Sequence, residues 1–238
     1  MKTMLNLILV SILIITMGNL NAAASSGEGK SEDSEKAAKT LKKAEVALDH
    51  VMEDPENSIP QSLINSSEGI VIFPGAFKIA LGFLGGQGAR GIAMIRKEDG
   101  SWSNPFFVNL GEGSLGFQIG AQASDIVLLF KDRNDIIEID KADITLGGDV
   151  GVAAGPVNKG SSSITDITFE SEIYSYYRSK GLFAGVSLKG GILSYNEKVS
   201  ESLYGIEDIS TDEIFSGIET PYNDKVNDLI EALVMYGE

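Results

Sequence analysis

Apolar and polar positions follow three patterns along the chain, helical near both ends and strand-like between them. Near the start, five apolar residues fall on one face of a helix predicted over residues 34–52: Leu41, Ala44, Leu48, Val51 and Met52. We predict Ser34 as the N-cap of this helix. Near the end, Pro221 opens a second amphipathic helix, whose apolar face consists of Tyr222, Val226, Leu229, Ile230 and Leu233. Each end of the chain therefore supplies a helix with a face to bury.

Between the two helices the chain alternates short apolar runs with glycine and turn residues. Strands are predicted over residues 69–73, 77–96, 106–109, 115–120, 126–130, 144–154, 164–177 and 183–195. Short helices are predicted at 60–65 and 211–215, and residues 136–139 fit either a strand or a short helix. Successive strands without long helices between them indicate antiparallel pairing, and glycines inside apolar segments favour bulges and curvature. The predicted fold class is α+β, with an antiparallel, strongly curved or barrel-like β-sheet and N- and C-terminal helices.

Residues 1–24 have the pattern of a secretory signal peptide. Lys2 precedes an apolar run over residues 4–17, which is too short to span a membrane comfortably. Ala22 and Ala24 fit a signal-peptidase site, and residues 25–35, rich in Ser, Gly and Glu, fit a flexible leader. An uncleaved anchor is the alternative. We therefore expect an exported, periplasmic protein, either membrane-associated or secreted.

The charge and cysteine content restrict the classes of function. The chain has 34 acidic and 19 basic residues and a formal net charge of −15, which disfavours general binding of nucleic acid. Any contact with an anionic membrane must therefore use a local basic patch or apolar insertion. The absence of cysteine excludes a thiol nucleophile and a thiolate metal site.

No pattern of catalytic residues stands out in the sequence. His50 is the sole histidine and lies in the first predicted helix, so a Ser-His-Asp triad or a histidine-based metal site is not expected. The glycine-rich stretch at residues 82–91 lacks the Gly-Lys-Ser/Thr ending of a phosphate-binding loop. Counting alone leaves a hydrolase with a carboxylate pair open. We predict a protein that is not an enzyme, with no catalytic residues, no metal site and no cofactor.

Several segments, in order along the chain, resemble the SYLF-domain family. The most distinctive is Ile173-Tyr-Ser-Tyr-Tyr-Arg-Ser-Lys-Gly-Leu-Phe-Ala-Gly-Val-Ser-Leu-Lys-Gly190, which is similar to the family signature. Further agreement is found at Glu68-Gly-Ile-Val-Ile-Phe-Pro74, Gly116-Phe-Gln-Ile-Gly-Ala-Gln122, Leu146-Gly-Gly-Asp-Val-Gly-Val-Ala-Ala-Gly-Pro-Val157 and Glu213-Ile-Phe-Ser-Gly217. The resemblance assigns residues 36–217 to a SYLF-like lipid-binding domain and leaves residues 218–238 as an acidic C-terminal helix.

The resemblance implies that the domain binds phospholipid or phosphoinositide-type headgroups at a membrane surface. Eukaryotic members of the family bind such membranes partly through a basic amphipathic first helix, and some also bind actin filaments. The expected lipid-binding residues are Lys36, Lys39, Lys42 and Lys43 on that helix and Lys159, Arg178, Lys180 and Lys189 beside glycine-rich turns. Whether the first helix inserts into the membrane or packs on the core stays open.

The expected partner is an anionic phospholipid membrane surface, and an envelope protein is a second candidate partner. The alternative function is therefore a periplasmic protein–protein or cell-envelope scaffold that does not bind lipid. The sequence identifies neither the lipid nor the oligomeric state.

Overall fold

The computed structural model describes residues 32–53, 58–155, 170–180 and 188–237. Its fold is α+β, with a curled, half-barrel sheet and helices at both ends, which confirms the predicted fold class. The predicted signal peptide and most of the predicted leader lie outside the described residues. Among the described residues, no helix combines the length and the apolar character that crossing a membrane would require.

The described part of the chain contains six helices. They are α1 (residues 32–52), α2 (Gln61–Ser66), α3 (Asn134–Ile137), α4 (Glu197–Tyr204), α5 (Thr211–Phe215) and α6 (Asn223–Gly237). The predicted helices at both ends, at 60–65 and at 211–215 are confirmed, while α4 was not predicted. The prediction of Ser34 as an N-cap is wrong, because the helix already includes residue 32. The Ser34 hydroxyl instead donates to the carbonyl oxygen of Ser202 on α4, at 3.2 Å.

The described strands form one sheet. They are β1 (Gly69–Ile95), β2 (Phe106–Phe130), β3 (Ile144–Thr145), β4 (Val152–Ala154), β5 (Ile173–Lys180) and β6 (Ile192–Tyr195). The sheet order is β3-β6-β2-β5-β4, and β1 pairs with β2. All pairs are antiparallel except β4 with β5, which is parallel. The predicted strand over residues 144–154 is thus two short strands, and parts of the last two predicted strands lie outside the described residues.

Two strands, β1 and β2, replace five shorter predicted strands. Glycines bend these strands rather than ending them, and the pairing register shifts between Phe73 and Ala76 and between Gly82 and Leu84. The start of β1 then lies against its own end, since the Arg96 backbone N–H donates to the Glu68 carbonyl oxygen at 2.8 Å. This crossing requires a glycine at residue 91, where a Cβ would collide with the Ile72 carbonyl oxygen and the Phe73 ring.

The core lies between the curled sheet and the terminal helices. The predicted apolar face of α1 is almost fully buried, with Leu41, Ala44, Leu48 and Val51 all at 0–1% exposure. Helix α6 buries Val226, Leu229 and Leu233 in the same way. Four phenylalanines fill the sheet side of the core: Phe73, Phe106, Phe107 and Phe130. In this conformation the first helix therefore packs on the core and is not free to insert its apolar face into a membrane.

Candidate functional site

A groove runs between α1 and the bent part of β1 and β2. Its wider part has a volume of about 550 Å³ and is lined on one wall by α1 and on the other by the two strands. We call this part the basic groove and define it by six of its lining residues: Lys36, Lys39, Lys43, Phe77, Arg90 and Asn109. A narrower cleft of about 340 Å³ continues from it to the C-terminal end of α1, and Lys43, Pro74 and Gly75 line both parts.

The C-terminal end of α1 is fixed to the sheet by two polar contacts of His50, and a third contact, within the sheet, positions Asp125. One Asp125 carboxylate oxygen lies 2.9 Å from Nδ1 of His50, and the other accepts a hydrogen bond from the Gly75 backbone N–H at 2.8 Å. Arg178, which is the register partner of Asp125, donates from a guanidinium nitrogen to the His50 carbonyl oxygen at 2.9 Å. Gly75 has a φ of +65°, which suits the bulge at this point. His50 and Arg178 therefore hold α1 against the sheet.

The four lysines of α1 differ in whether an acid neutralises them. Lys36 forms ion pairs with Glu32 at 2.8 Å and Asp33 at 3.0 Å, and these hydrogen bonds raise its pKa. Lys42 pairs with Glu45 at 2.8 Å, which likewise raises the pKa of the lysine. Lys39 and Lys43 are exposed. These two lysines lie one helical turn apart on the groove side.

Neither Lys39 nor Lys43 forms an ion pair with any residue that the structure describes. They are thus the two α1 lysines with charge available to an external anion.

The remaining expected lipid-binding residues that the structure describes do not line the groove or its cleft. Arg178 is half-buried in the contact with His50, and Lys180 ends β5 opposite Ala123. Lys189 is exposed in the turn before β6, where its side chain lies beside Gly147. Lys159 lies outside the described residues. Of the seven expected residues that the structure describes, the four lysines of α1 line the groove or its cleft and Arg178 forms a structural contact. The other two lie at the end of β5 and in the turn before β6.

The structure adds residues to the site that the sequence reasoning missed. Arg90 and Asn109 are register partners on β1 and β2 and line the groove opposite α1. Two large apolar side chains border the groove and its cleft, Phe77 at 54% exposure and Val46 at 38%. The sequence contains one signal for Arg90, since it is the charged residue inside the glycine-rich stretch 82–91. The position of Arg90 opposite α1, however, depends on the curl of β1 and β2.

Three acidic residues on α4 and in the loop that follows it lie close together. Carboxylate oxygens of Glu197, Glu201 and Asp208 lie within 4.8 Å of one another. Glu201 already accepts a hydrogen bond from the Asp208 backbone N–H at 2.7 Å, and Glu197 and Asp208 are exposed. This hydrogen bond holds the loop after α4 against the helix. The cluster gives no independent indication of a bound ion.

The fold and the groove define the class of protein: a curled α+β domain with a basic groove on an acidic body. Residues 111–236 match the family model described as "Ysc84: Las17-binding protein actin regulator". The chain belongs to this Ysc84/SYLF family, which confirms the resemblance found in the sequence. The description is that of a binding regulator, and the absence of enzymatic activity in this chain stays a prediction.

Individual relatives extend the similarity upstream of the family match. The chain is 34% identical over 187 residues to SH3 domain-containing YSC84-like protein 1 of Xenopus laevis, covering 78% of this chain and 54% of the relative. The human protein of the same name is 32% identical over 186 residues, covering 77% and 53%. LAS seventeen-binding protein 3 of Saccharomyces cerevisiae is 28% identical over 177 residues, covering 73% and 38%. The chain thus spans about half the length, or less, of these relatives.

Proposed function

We propose that this domain binds anionic phospholipid membrane surfaces through the basic groove. The observation that carries the proposal is the presence of three cations without ion-pair partners among the described residues, Lys39, Lys43 and Arg90, around one groove. They lie on a chain whose formal net charge is −15. The groove would therefore attract a phospholipid or phosphoinositide-type headgroup, while much of the remaining surface would repel it. Binding should therefore weaken strongly as salt rises.

The apolar part of the contact is assigned to the rim of the groove and not to the inner face of α1. That inner face contributes Leu41 and Leu48 to the core, so inserting it into lipid would first require the helix to leave the sheet. Phe77 and Val46 are already exposed and border the lysines. Shallow insertion of these two side chains would add apolar contact without unfolding.

Export is part of the proposal. Because a signal peptide is predicted over residues 1–24, the protein would bind the membrane surface from the periplasmic side. The proposal does not depend on this compartment, because the groove is formed by residues 36–109 in the folded domain.

The test is co-sedimentation of the purified protein with neutral and anionic liposomes at low and high salt. Each lysine near an anionic surface contributes about 1 kcal/mol, so losing two should lower the partition coefficient about 30-fold. We therefore expect at least this loss for the double variant Lys39→Glu/Lys43→Glu, since it also adds repulsion. The matched control is Lys97→Glu/Lys141→Glu, which makes the same change in net charge at exposed positions outside the groove.

Two results would contradict the proposal. One is the absence of binding to every liposome by a protein shown to be folded by circular dichroism. The other is an equal loss in the groove variant and the control, which would indicate a response to net charge alone.

A protein partner is the second candidate, and the family description favours it. The family is described as Las17-binding and as an actin regulator, and a yeast relative is named for binding LAS seventeen. A basic groove also suits an acidic protein segment, including one from an envelope protein in the scaffold alternative. Absence of liposome binding, together with salt-sensitive binding of an acidic peptide that Lys39→Glu/Lys43→Glu abolishes, would favour this candidate over the membrane.

A further inference from the structure

Arg90 carries a charge that the described part of the protein does not neutralise. Its side chain is half-buried, and its Nε is buried without a hydrogen-bond partner. No ion pair to Arg90 occurs among the described residues. A buried N–H without an acceptor destabilises a folded protein, and a charged group without a partner does so more strongly. Such an arrangement is expected where a ligand supplies the missing acceptor.

The acidic composition makes the unpaired guanidinium more informative. The chain has 34 acidic residues against 19 basic ones, so carboxylates are abundant. On α1, for example, Lys36 and Lys42 each form an ion pair with a carboxylate within one helical turn. The groove wall formed by Arg90 instead contains the amide of Asn109, whose Oδ1 accepts a hydrogen bond from Asn196 at 2.8 Å. None of the described residues that line the groove is acidic, so the groove wall offers Arg90 no anion.

Across the groove, the exposed lysines of α1 complete the arrangement. Lys39 and Lys43 are spaced four residues apart, which places both on the face that lines the groove with Arg90. Three full positive charges thus line one groove of about 550 Å³, which is large enough for a phosphorylated headgroup.

We infer that the basic groove is a site for a dianionic phosphomonoester, with Arg90 as the residue that selects it over a phosphodiester. A phosphomonoester carries about −1.5 to −2 charges at neutral pH, whereas a phosphodiester carries one. It also presents three terminal oxygens, so the planar guanidinium can bind two of them in parallel while the lysines meet the third. The inference rests on the proposed function when the phosphate belongs to a lipid, but a soluble phosphomonoester has the same chemistry.

The membrane arm of the test compares two anionic lipids. Phosphatidic acid presents a phosphomonoester and phosphatidylglycerol a phosphodiester, each mixed with phosphatidylcholine to equal measured surface charge. We expect the protein to bind the phosphatidic acid vesicles at least tenfold more tightly. In Arg90→Lys, which keeps the charge but loses the paired donors, this preference should fall to less than threefold, while binding to phosphatidylglycerol stays unchanged.

The soluble arm separates the phosphate from the membrane. Glycerol 3-phosphate should raise the melting temperature of the wild-type protein in a concentration-dependent manner, because a ligand that binds the folded state stabilises it. It should raise the melting temperature of Arg90→Gln much less, and glycerophosphoglycerol, a phosphodiester with one negative charge, should raise that of neither protein. The control variant is Lys97→Gln, which removes an exposed positive charge outside the groove and should respond as the wild type does.

The two arms distinguish failure of this inference from failure of the proposed function. Equal binding to both lipids together with no stabilisation by glycerol 3-phosphate would overturn the phosphomonoester site and leave a general anionic membrane contact standing. Stabilisation that depends on Arg90, without binding to any vesicle, would support the site and contradict the membrane proposal. If Arg90→Gln responds to glycerol 3-phosphate as strongly as the wild type, Arg90 does not select the ligand and the inference fails.

Discussion

The two terminal helices, α1 and α6, cover the same core, but α1 exposes lysines at the groove whereas the exposed charged residues of α6 are acidic. Their inner faces are alike, because Leu48 on α1 and Leu229 on α6 are both fully buried. Their outer faces differ. Helix α1 exposes Lys39 and Lys43, whereas α6 exposes acidic residues at several positions: Asp224, Asp228 and Glu231. The inner pattern therefore determines where each helix packs, and the outer pattern determines which helix can meet an anion.

The helices are also joined to each other at one end. The hydroxyl of Tyr236, near the end of α6, donates to a carboxylate oxygen of Asp49 on α1 at 3.0 Å. Asp228 also contributes to the raised pKa of Lys42, after the larger effect of Glu45. The acidic helix thus lies beside α1 on the side of Lys42. The basic groove is therefore confined to the other side of α1, where β1 provides Arg90 and where Lys39 and Lys43 have no ion-pair partner among the described residues.

The largest expected effect tests whether the two inner faces contribute equally to the core. Leu48→Ala and Leu229→Ala should each lower the free energy of unfolding by about 2–5 kcal/mol, because each removes a fully buried side chain and leaves a cavity. Urea denaturation would measure both. Val46→Ala on the outer surface of α1 is the control and should cost less than about 1 kcal/mol.

If Leu48→Ala cost no more than Val46→Ala while Leu229→Ala remained costly, α1 would not be packed in solution. Its apolar face would then be free to enter a membrane, and the groove described above would not persist.

The sequence predicted the helices better than the strands because helical spacing survives tertiary packing. The five apolar positions between residues 41 and 52 recur at the helical period, and four of them are now fully buried. Strand ends were misjudged because a glycine can end a strand or allow it to bend. At Gly75, between two predicted strands, a register shift lets β1 continue without a break. The predicted N-cap at Ser34 failed for a related reason, since a contact with α4 engages its hydroxyl.

The candidate site was harder to predict because it depends on contacts between distant positions. Arg178 resembles a free surface cation in the sequence, yet it binds the carbonyl oxygen of His50, 128 positions away. Lys42 and Lys43 are neighbours in the chain, but only Lys42 has a described carboxylate partner. Arg90 gains its importance from the curl that places it opposite α1. Residue type alone could not separate these cases.

A second prediction concerns the apolar rim of the groove. Phe77→Ala should lower the partition coefficient on anionic liposomes about tenfold, as expected from losing about half of the apolar burial of a phenylalanine. Met235→Ala is the matched control, because Met235 is as exposed at 58% but lies on the acidic helix α6. It should leave liposome binding unchanged.

Fluorescence quenching by lipid-embedded probes, with a tryptophan introduced as Phe77→Trp, would measure the depth of insertion directly. Equal losses for Phe77→Ala and Met235→Ala would indicate that the whole surface contacts lipid, and the contrast between the two helices would lose its functional meaning.

The smallest expected effect concerns the joint between the two helices at high pH. Burial and, next, the hydrogen bond with Asp49 raise the pKa of Tyr236 to about 12, above its ordinary value of 10.0. The folded state therefore holds the phenolic proton more tightly than the unfolded state does. This contribution to stability is complete below pH 10 and is lost as the pH rises through 12.

Tyr236→Phe should therefore lose less stability than the wild type between pH 9 and pH 11, as measured by urea denaturation at each pH. Some loss will remain, because burial also raises the pKa of Tyr195 to about 12 and raises those of Tyr176 and Tyr204. Tyr222→Phe is the control, since its hydroxyl forms no hydrogen bond with a described residue. If Tyr236→Phe and the wild type lost equal stability over this range, the joint would not form in solution. The two helices would then not be joined to each other, and the placement of α1 beside the groove would depend on its buried inner face and on the contacts of Asp125 and Arg178 with His50.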